Sequence, residues 1–349
     1  MEINGGMRVF YFTGLLFLCV HIQLKAQTYN LYFGSCQHQE KPLNLLKTVA
    51  NLQPDAFIYL GDNIYADTYD SVKLQQKYQQ LAANPDFQAL QKSTTIYATW
   101  DDHDYGVNDV GKYYPLKEAS KRIFLTFFKE PARSNRWKHE GIYTVNYLKY
   151  KRIRIQLIVL DTRTFRSDLR LFNATTDVKD SSFHYQLDYV PNATCDSSFL
   201  GEAQWAWLEK TLKKRADLRI VCSSTQLAHS YNGYESWNNF PCEKERFFNV
   251  LQQTKAKGVV VISGDVHYAE LSKVTHPGNY PLYDLTSSGI TQSWHFATPN
   301  TNRIAGPVME NQVGRIRIDA RQKCLYLEIM DGTGAIRISE RVAFDALRF

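Results

Sequence analysis

The chain has 349 residues, 44% of them hydrophobic, and 41 Lys and Arg against 35 Asp and Glu give a formal net charge of +6. Such a composition supports a large packed core and excludes a disordered or collagen-like chain. The cations are scattered rather than blocked, so the mild basicity does not argue for nucleic-acid-specific binding.

Arg8 opens a short positive region, residues 9–20 are mostly apolar, and Leu24-Lys25-Ala26 places a small residue before Gln27. Residues 1–26 are therefore expected to be a cleaved signal peptide, because the apolar run is too short to cross a bilayer comfortably. Leu18 before Cys19 is a poor context for lipid anchoring. Residues 27–349 are expected to form one exported domain, periplasmic, cell-surface or secreted, with no transmembrane span. Beyond the signal segment, Cys222 and Cys324 lie in apolar runs and read as buried hydrophobes. Cys195 and Cys242 lie in loop-like sequence and can pair, while Cys36 follows a strand.

In chain order, residues 30–33 read as a strand running into Gly34-Ser35-Cys36, and 43–52 as an amphipathic helix. Residues 56–60 form a second strand, running into Gly61-Asp62-Asn63-Ile64-Tyr65. Residues 71–92 are Gln-rich and helical, interrupted near Pro85, and 95–100 is a strand that meets Asp101-Asp102-His103-Asp104. A helix over 118–128 is closed by Pro131. Residues 141–146 and 153–160 read as a hairpin ending at Asp161-Thr162-Arg163, and 173–194 as a long polar loop. A helix over 201–215 precedes a strand at 219–223 that leads to His229, and a helix over 242–255 precedes Val259-Val260-Val261-Ile262. That fully apolar run reads as a strand buried on both faces, and it breaks at Gly264 to present Asp265 and His267. The remaining chain is mostly β. Alternating strands and helices with a strand-rich end predict an α/β sandwich of packed sheets.

Strand after strand thus ends in metal-capable residues: Cys36, Asp62 with Tyr65, Asp102 with His103, His229, and Asp265 with His267. In open α/β sheets the carboxyl edge is where ligands bind. Thiolate and imidazole suit a transition metal, and carboxylates suit a harder ion, so the mixture points to two unlike metals bridged by one carboxylate. Singly, each residue has a duller reading. Asp62 can belong to a plain turn, Cys36 can be an inert buried thiol, Asp101, Asp102 and Asp104 can be a capping loop, and Arg163 can simply pair with Asp161. His229 can be a satisfied structural histidine, and Tyr105, Tyr268 and Trp294 can be pocket walls. Joint occurrence at successive strand ends favours the functional reading.

At these residues the chain resembles the PhoD-type alkaline phosphatases of the calcineurin-like metallophosphatase superfamily. The likeness rests on Phe33-Gly34-Ser35-Cys36, Tyr59-Leu60-Gly61-Asp62-Asn63-Ile64-Tyr65-Ala66-Asp67, Thr99-Trp100-Asp101-Asp102-His103-Asp104, Leu160-Asp161-Thr162-Arg163, Gln204-Trp205-Ala206-Trp207-Leu208, 263–270 and 285–289. The resemblance implies a metallophosphatase-type sandwich of two mixed β-sheets flanked by helices. It implies that Cys36, Asp62, Tyr65 and His267 hold an Fe3+ ion, with Asp62 bridging to a second ion, Ca2+ in this family, completed by Asp102 and Asp265. Asp102 and Asp265 stand where the superfamily has Asn and His, and their extra negative charge favours a hard cation. His103 matches the histidine that assists the leaving group or the phosphate. Metal-bound hydroxide would attack phosphorus in line. Arg163 and Arg166 are candidates to steady the phosphate, and His229 to touch metal or phosphate. Relative to the family prototype, the chain is expected to lack an N-terminal β domain and a C-terminal element covering the site. The activity implied is hydrolysis of phosphate esters. The alternatives are a phosphodiesterase or phospholipase acting on envelope polymers or lipids, and a secreted metal- or phosphate-binding protein without turnover. Substrate choice is expected to rest with loops 105–117, 168–198 and 231–241.

Overall fold

The computed structural model describes residues 1–2 and 28–349; the expected signal peptide lies largely outside the described residues. In chain order the strands are β1 (Thr28–Gly34), β2 (Ala56–Leu60), β3 (Thr95–Thr99), β4 (Thr144–Tyr150) and β5 (Ile153–Val159). There follow the two-residue ribbon β6 (Arg170–Leu171) and β7 (Tyr189–Val190), then β8 (Leu218–Cys222), β9 (Val259–Ser263), β10 (Ala269–Val274) and β11 (Leu282–Ser287). The last four are β12 (Arg303–Val308), β13 (Gln312–Asp319), β14 (Cys324–Asp331) and β15 (Ile336–Ala343). The helices are α1 (Asn44–Asn51), α2 (Ser71–Ala83), α3 (Pro85–Ser93), α4 (Asp102–Tyr105), α5 (Lys117–Phe127), α6 (Gly201–Leu212) and α7 (Pro241–Thr254).

Two large mixed sheets face each other, ordered β15-β14-β13-β1-β2-β3 and β12-β10-β11-β9-β8-β5-β4. Strands β1, β2 and β3 run parallel, as do β5, β8, β9 and β11, while the outer pairings are antiparallel. The period-2 alternation of the parallel strands builds two cores. Leu31, Phe33, Ile58 and Leu60 point between the sheets, where they join Ile155, Val260, Ile316 and Leu327. Tyr32, Phe57 and Tyr59 point the other way, onto Leu46, Val49, Phe87 and Phe124 of the helical layer. Both faces are covered, which is why these strands read as continuous apolar runs.

The interruption expected near Pro85 divides the 71–92 stretch into two helices, α2 and α3. Asn84 leaves the helical region (φ −70°, ψ 125°), and its side chain accepts the amide hydrogens of Asp86 (2.9 Å) and Phe87. Pro85 at the first helical position has no amide hydrogen to lose. Cys195 and Cys242 form a disulfide that fastens the long loop to the first turn of α7, and Cys36, Cys222 and Cys324 are buried free thiols. No helix among the described residues is long and apolar enough to cross a membrane.

Candidate metal centre

Because the inner strands of each sheet run parallel, their carboxyl ends share one edge, and each delivers a short loop there. Two close approaches bring the loops together, and each requires glycine. A side chain on Gly61 (φ 107°) would meet Asp101 Cβ at 2.5 Å, and one on Gly264 would meet Ser35 Cβ at 2.8 Å. The first contact joins the ends of β2 and β3. The second joins β9 of one sheet to β1 of the other. Beyond these glycines, Cys36 (φ 59°), Asp62 (φ 49°), Asp265 (φ 78°) and His267 (φ 55°) all adopt left-handed backbone. For residues other than glycine that costs about 1–2 kcal/mol each, and strain of this kind collects where geometry serves a site.

Three groups of side chains converge, each with ligand atoms within 4.8 Å of one another: Cys36, Asp62 and His267; Asp62, Asp102 and His103; Asp101, Asp102 and Asp265. Asp62 belongs to the first two groups and Asp102 to the last two, so the three form a continuous chain. Asp62 Oδ2 accepts from the Cys36 thiol (3.4 Å) and from Tyr65 Oη (3.2 Å), and Tyr65 Oη lies 3.1 Å from His267 Nε2. Ser288 Oγ accepts from the His267 amide (2.9 Å) and lies 3.0 Å from Cys36 Sγ, coupling two loops of this cluster. The His103 Nδ1–H donates to Asp67 Oδ1 (2.7 Å), which fixes the ring and leaves Nε2 toward the cleft. Asp104 is a buried cap, taking the amide hydrogen of Asp101 (2.7 Å) and holding the turn that presents Asp102 and His103.

The electrostatics follow from packing like charges out of water. Burial pushes the Asp62 and Asp265 carboxyls well above the usual range, with the Cys36 thiol adding to the first and Asp101 to the second. Burial lifts Cys36 to about 12. For Asp102 burial acts in the same direction, but His103 and Arg163 outweigh it and hold the carboxyl low. Burial lowers His103, but Asp102, Asp62 and Asp67 together push it up to about 11, whereas burial brings His267 down to about 4. Asp62 Oδ1 and Asp102 Oδ1 are buried with no hydrogen-bond partner. An orphaned buried oxygen costs about 1–3 kcal/mol, more when charged. Neighbouring orphans in a crowded acidic cluster, with a thiol, a phenol and imidazoles at hand, fit a cation pair.

The structure brings together Cys36, Asp62, Tyr65, Asp102, His103, Asp265 and His267. Arg163 it places behind them, and His229 elsewhere. Arg163 is fully buried behind the cleft, paired with Asp101 and, at 2.7 Å, with Glu235 Oε2, and 3.8 Å from Asp102. Arg166 pairs with the other Glu235 oxygen at 2.9 Å. Both guanidiniums are counter-ions to carboxylates. His229 is fully buried, its Nδ1 accepting the Tyr231 amide (3.0 Å) and its Nε2 facing Thr298 Oγ1 (3.0 Å); among the described residues it joins none of the three groups. Tyr105 and Tyr268 are buried in the core, and of the three aromatic residues expected as walls only Trp294 lines the cleft.

The cleft over these clusters holds about 170 Å³. Asn108 and Asp109, Asp188 and Tyr189, and Tyr234 and Glu235 line it, one pair from each of the loops expected to set substrate choice. Sequence reasoning missed the positioning partners Asp67, Glu235 and Ser288. Asp67 and Ser288 sit inside the quoted motifs and were within reach, whereas Glu235 had no local signal.

The family described as PhoD-like phosphatase matches residues 31–340. Over 275 residues the chain is 24% identical to alkaline phosphatase D of Bacillus subtilis strain 168, covering 67% of this chain and 45% of that protein. The match thus spans less than half of that relative's length. Among solved structures the fold is similar to that of PhoD (TM-score 0.67, 18% identity, 90% of this chain and 72% of that one). It is also similar to GAP50, the anchor in the inner membrane complex of Plasmodium (0.57, 11% identity, 90% and 89%). A dimetal phosphatase from Danio rerio shares it too (0.53, 11% identity, 90% and 99%).

Proposed function

Because this chain belongs to the PhoD-like phosphatase family, we propose that it is an exported, metal-dependent phosphoric ester hydrolase. The observation that carries the reading is the chain of three metal-capable groups shared through Asp62 and Asp102, with one buried oxygen of each left unpartnered. Cys36, Asp62, Tyr65 and His267 would hold a ferric ion, and Asp62, Asp102 and Asp265 a harder ion such as Ca2+. When bound, such a pair supplies charge neutralisation for the phosphoryl oxygens and a water acidic enough to act as nucleophile near neutral pH. The protein's own part is positional. Asp67 orients the His103 ring so that Nε2 can hold a proton for the departing ester oxygen. Arg163 and Arg166 hold Asp101 and Glu235 in place behind the cluster. The strained backbone at Cys36, Asp62, Asp265 and His267 keeps the ligand atoms aimed inward before any ion arrives.

The test is elemental analysis of the purified protein, together with turnover of p-nitrophenyl phosphate and bis-p-nitrophenyl phosphate before and after chelation. Two metals per chain, chelator-sensitive turnover and recovery on reloading are expected. If metal-loaded protein turns over neither ester, the proposal is wrong and the fold is serving a binding role.

A further inference from the structure

Beside the metal-capable groups, the cleft has an aromatic wall. The Trp294 ring stands edge-on to His267 (5.4 Å, 67°), and Tyr234 meets Trp294 at 5.1 Å and 56°. Each is backed by a second ring lying nearly flat on it, Phe296 on Trp294 (5.3 Å, 11°) and Tyr185 on Tyr234 (5.5 Å, 4°). The Trp294 amide donates to His267 O (3.1 Å), which ties the wall to the cluster. The same cleft carries an acidic wall. Tyr189 Oη donates to Asp109 Oδ2 (2.6 Å), and Asp188, exposed on the long loop, completes it.

Charge decides between possible occupants. Among the described residues no Lys or Arg lines this cleft, the His103 cation is already paired with Asp67, and neither Asp109 nor Asp188 has a Lys, Arg or His within ion-pair distance. Glu235, by contrast, is offset by Arg163 and Arg166. A flat neutral leaving group would use the rings but not the acidic groups. One carrying further phosphates would be repelled by them. An ammonium group answers both walls, resting on ring faces and drawn by the carboxylates. Size agrees, because about 170 Å³ is below the roughly 300 Å³ at which clefts for larger organic ligands begin.

Resting on the hydrolase reading above, we infer that this cleft selects phosphate esters whose alcohol carries an ammonium group, of the choline or ethanolamine type. In the reaction water adds its oxygen to phosphorus, the bond from phosphorus to the amino-alcohol oxygen breaks, and the alcohol leaves with a proton. The same headgroup occurs on free esters and on lipids, and one substrate of each kind distinguishes the sources.

The test compares phosphocholine with 3,3-dimethylbutyl phosphate, its neutral isostere, on the metal-loaded full chain. A kcat/KM at least about tenfold higher for phosphocholine is expected, the scale of a desolvated cation–π contact, with the same preference in isothermal titration of binding. Trp294→Leu and Asp188→Asn should each lower that ratio several-fold; Asp188 is exposed, so its change does not threaten the fold. Glycerophosphocholine and phosphatidylcholine micelles then separate a soluble from a lipid source. Equal rates and equal binding for the two isosteres overturn the inference, as does turnover of p-nitrophenyl phosphate without any of phosphocholine. Failure with p-nitrophenyl phosphate itself would count against the hydrolase reading, and the binding comparison would still decide the cleft's preference.

Discussion

Replacing Arg163 by Met distinguishes a buried counter-ion from a phosphate contact. The guanidinium is fully buried and neutralises Asp101 and one oxygen of Glu235, while Arg166 holds the other. Removing one partner of a buried pair costs about 3–5 kcal/mol, because the remaining charge is left desolvated. Here the low end applies. Burial already lifts Asp101 to about 8 even against the pull of Arg163, so without Arg163 the carboxyl is held as the neutral acid and no bare charge is stranded there. Glu235 keeps Arg166. A loss of about 3 kcal/mol corresponds to a fall of roughly 5 °C in Tm for a domain of this size. Thermal unfolding followed by circular dichroism reads the change, and a double-mutant cycle with Asp101→Asn should show coupling above about 1 kcal/mol. An unchanged Tm with a raised KM for p-nitrophenyl phosphate would refute the assignment and return Arg163 to the phosphate.

Asp62→Ala should lose both metal content and turnover, whereas His103→Ala should keep the metal and lose about 10²–10⁴ in kcat; elemental analysis beside kinetics separates them, and the reverse pattern would exchange their roles. Asp67→Asn, which touches the centre only through the His103 ring, should lower kcat by less than His103→Ala does. Replacing Cys195 by Ser opens a link spanning 47 residues and should cost about 4 kcal/mol by loop entropy, with reductant producing the same shift in the native chain. Lys244, which donates to His229 O (3.0 Å) and Asn238 Oδ1 (2.7 Å), is pushed by burial down to about 8. The unfolded chain therefore holds that proton more tightly, and stability should gain as pH rises from about 8 toward the ordinary lysine value. Lys244→Met should remove that component of the pH–stability curve.

Much of the centre was legible because strand chemistry is local. An apolar run such as Val259-Val260-Val261-Ile262 declares a doubly buried parallel strand, and whatever follows such a strand emerges at the common carboxyl edge. Cys36, Asp62, Asp102, Asp265 and His267 could therefore be grouped across more than two hundred residues without knowing which strands are neighbours. The disposition of long side chains could not be read in that way. Arg163 sits next to a strand end like the others, yet its guanidinium reaches backwards to Asp101 and to Glu235, 72 residues away, because those carboxylates are buried and need a cation. His229 likewise follows a strand, but the amide of Tyr231 and the hydroxyl of Thr298 take up its ring nitrogens. Periodicity records which face of an element is buried. Which partner satisfies a buried polar group depends on what remote segments bring within about 3 Å, and that is decided only when the two sheets close on each other.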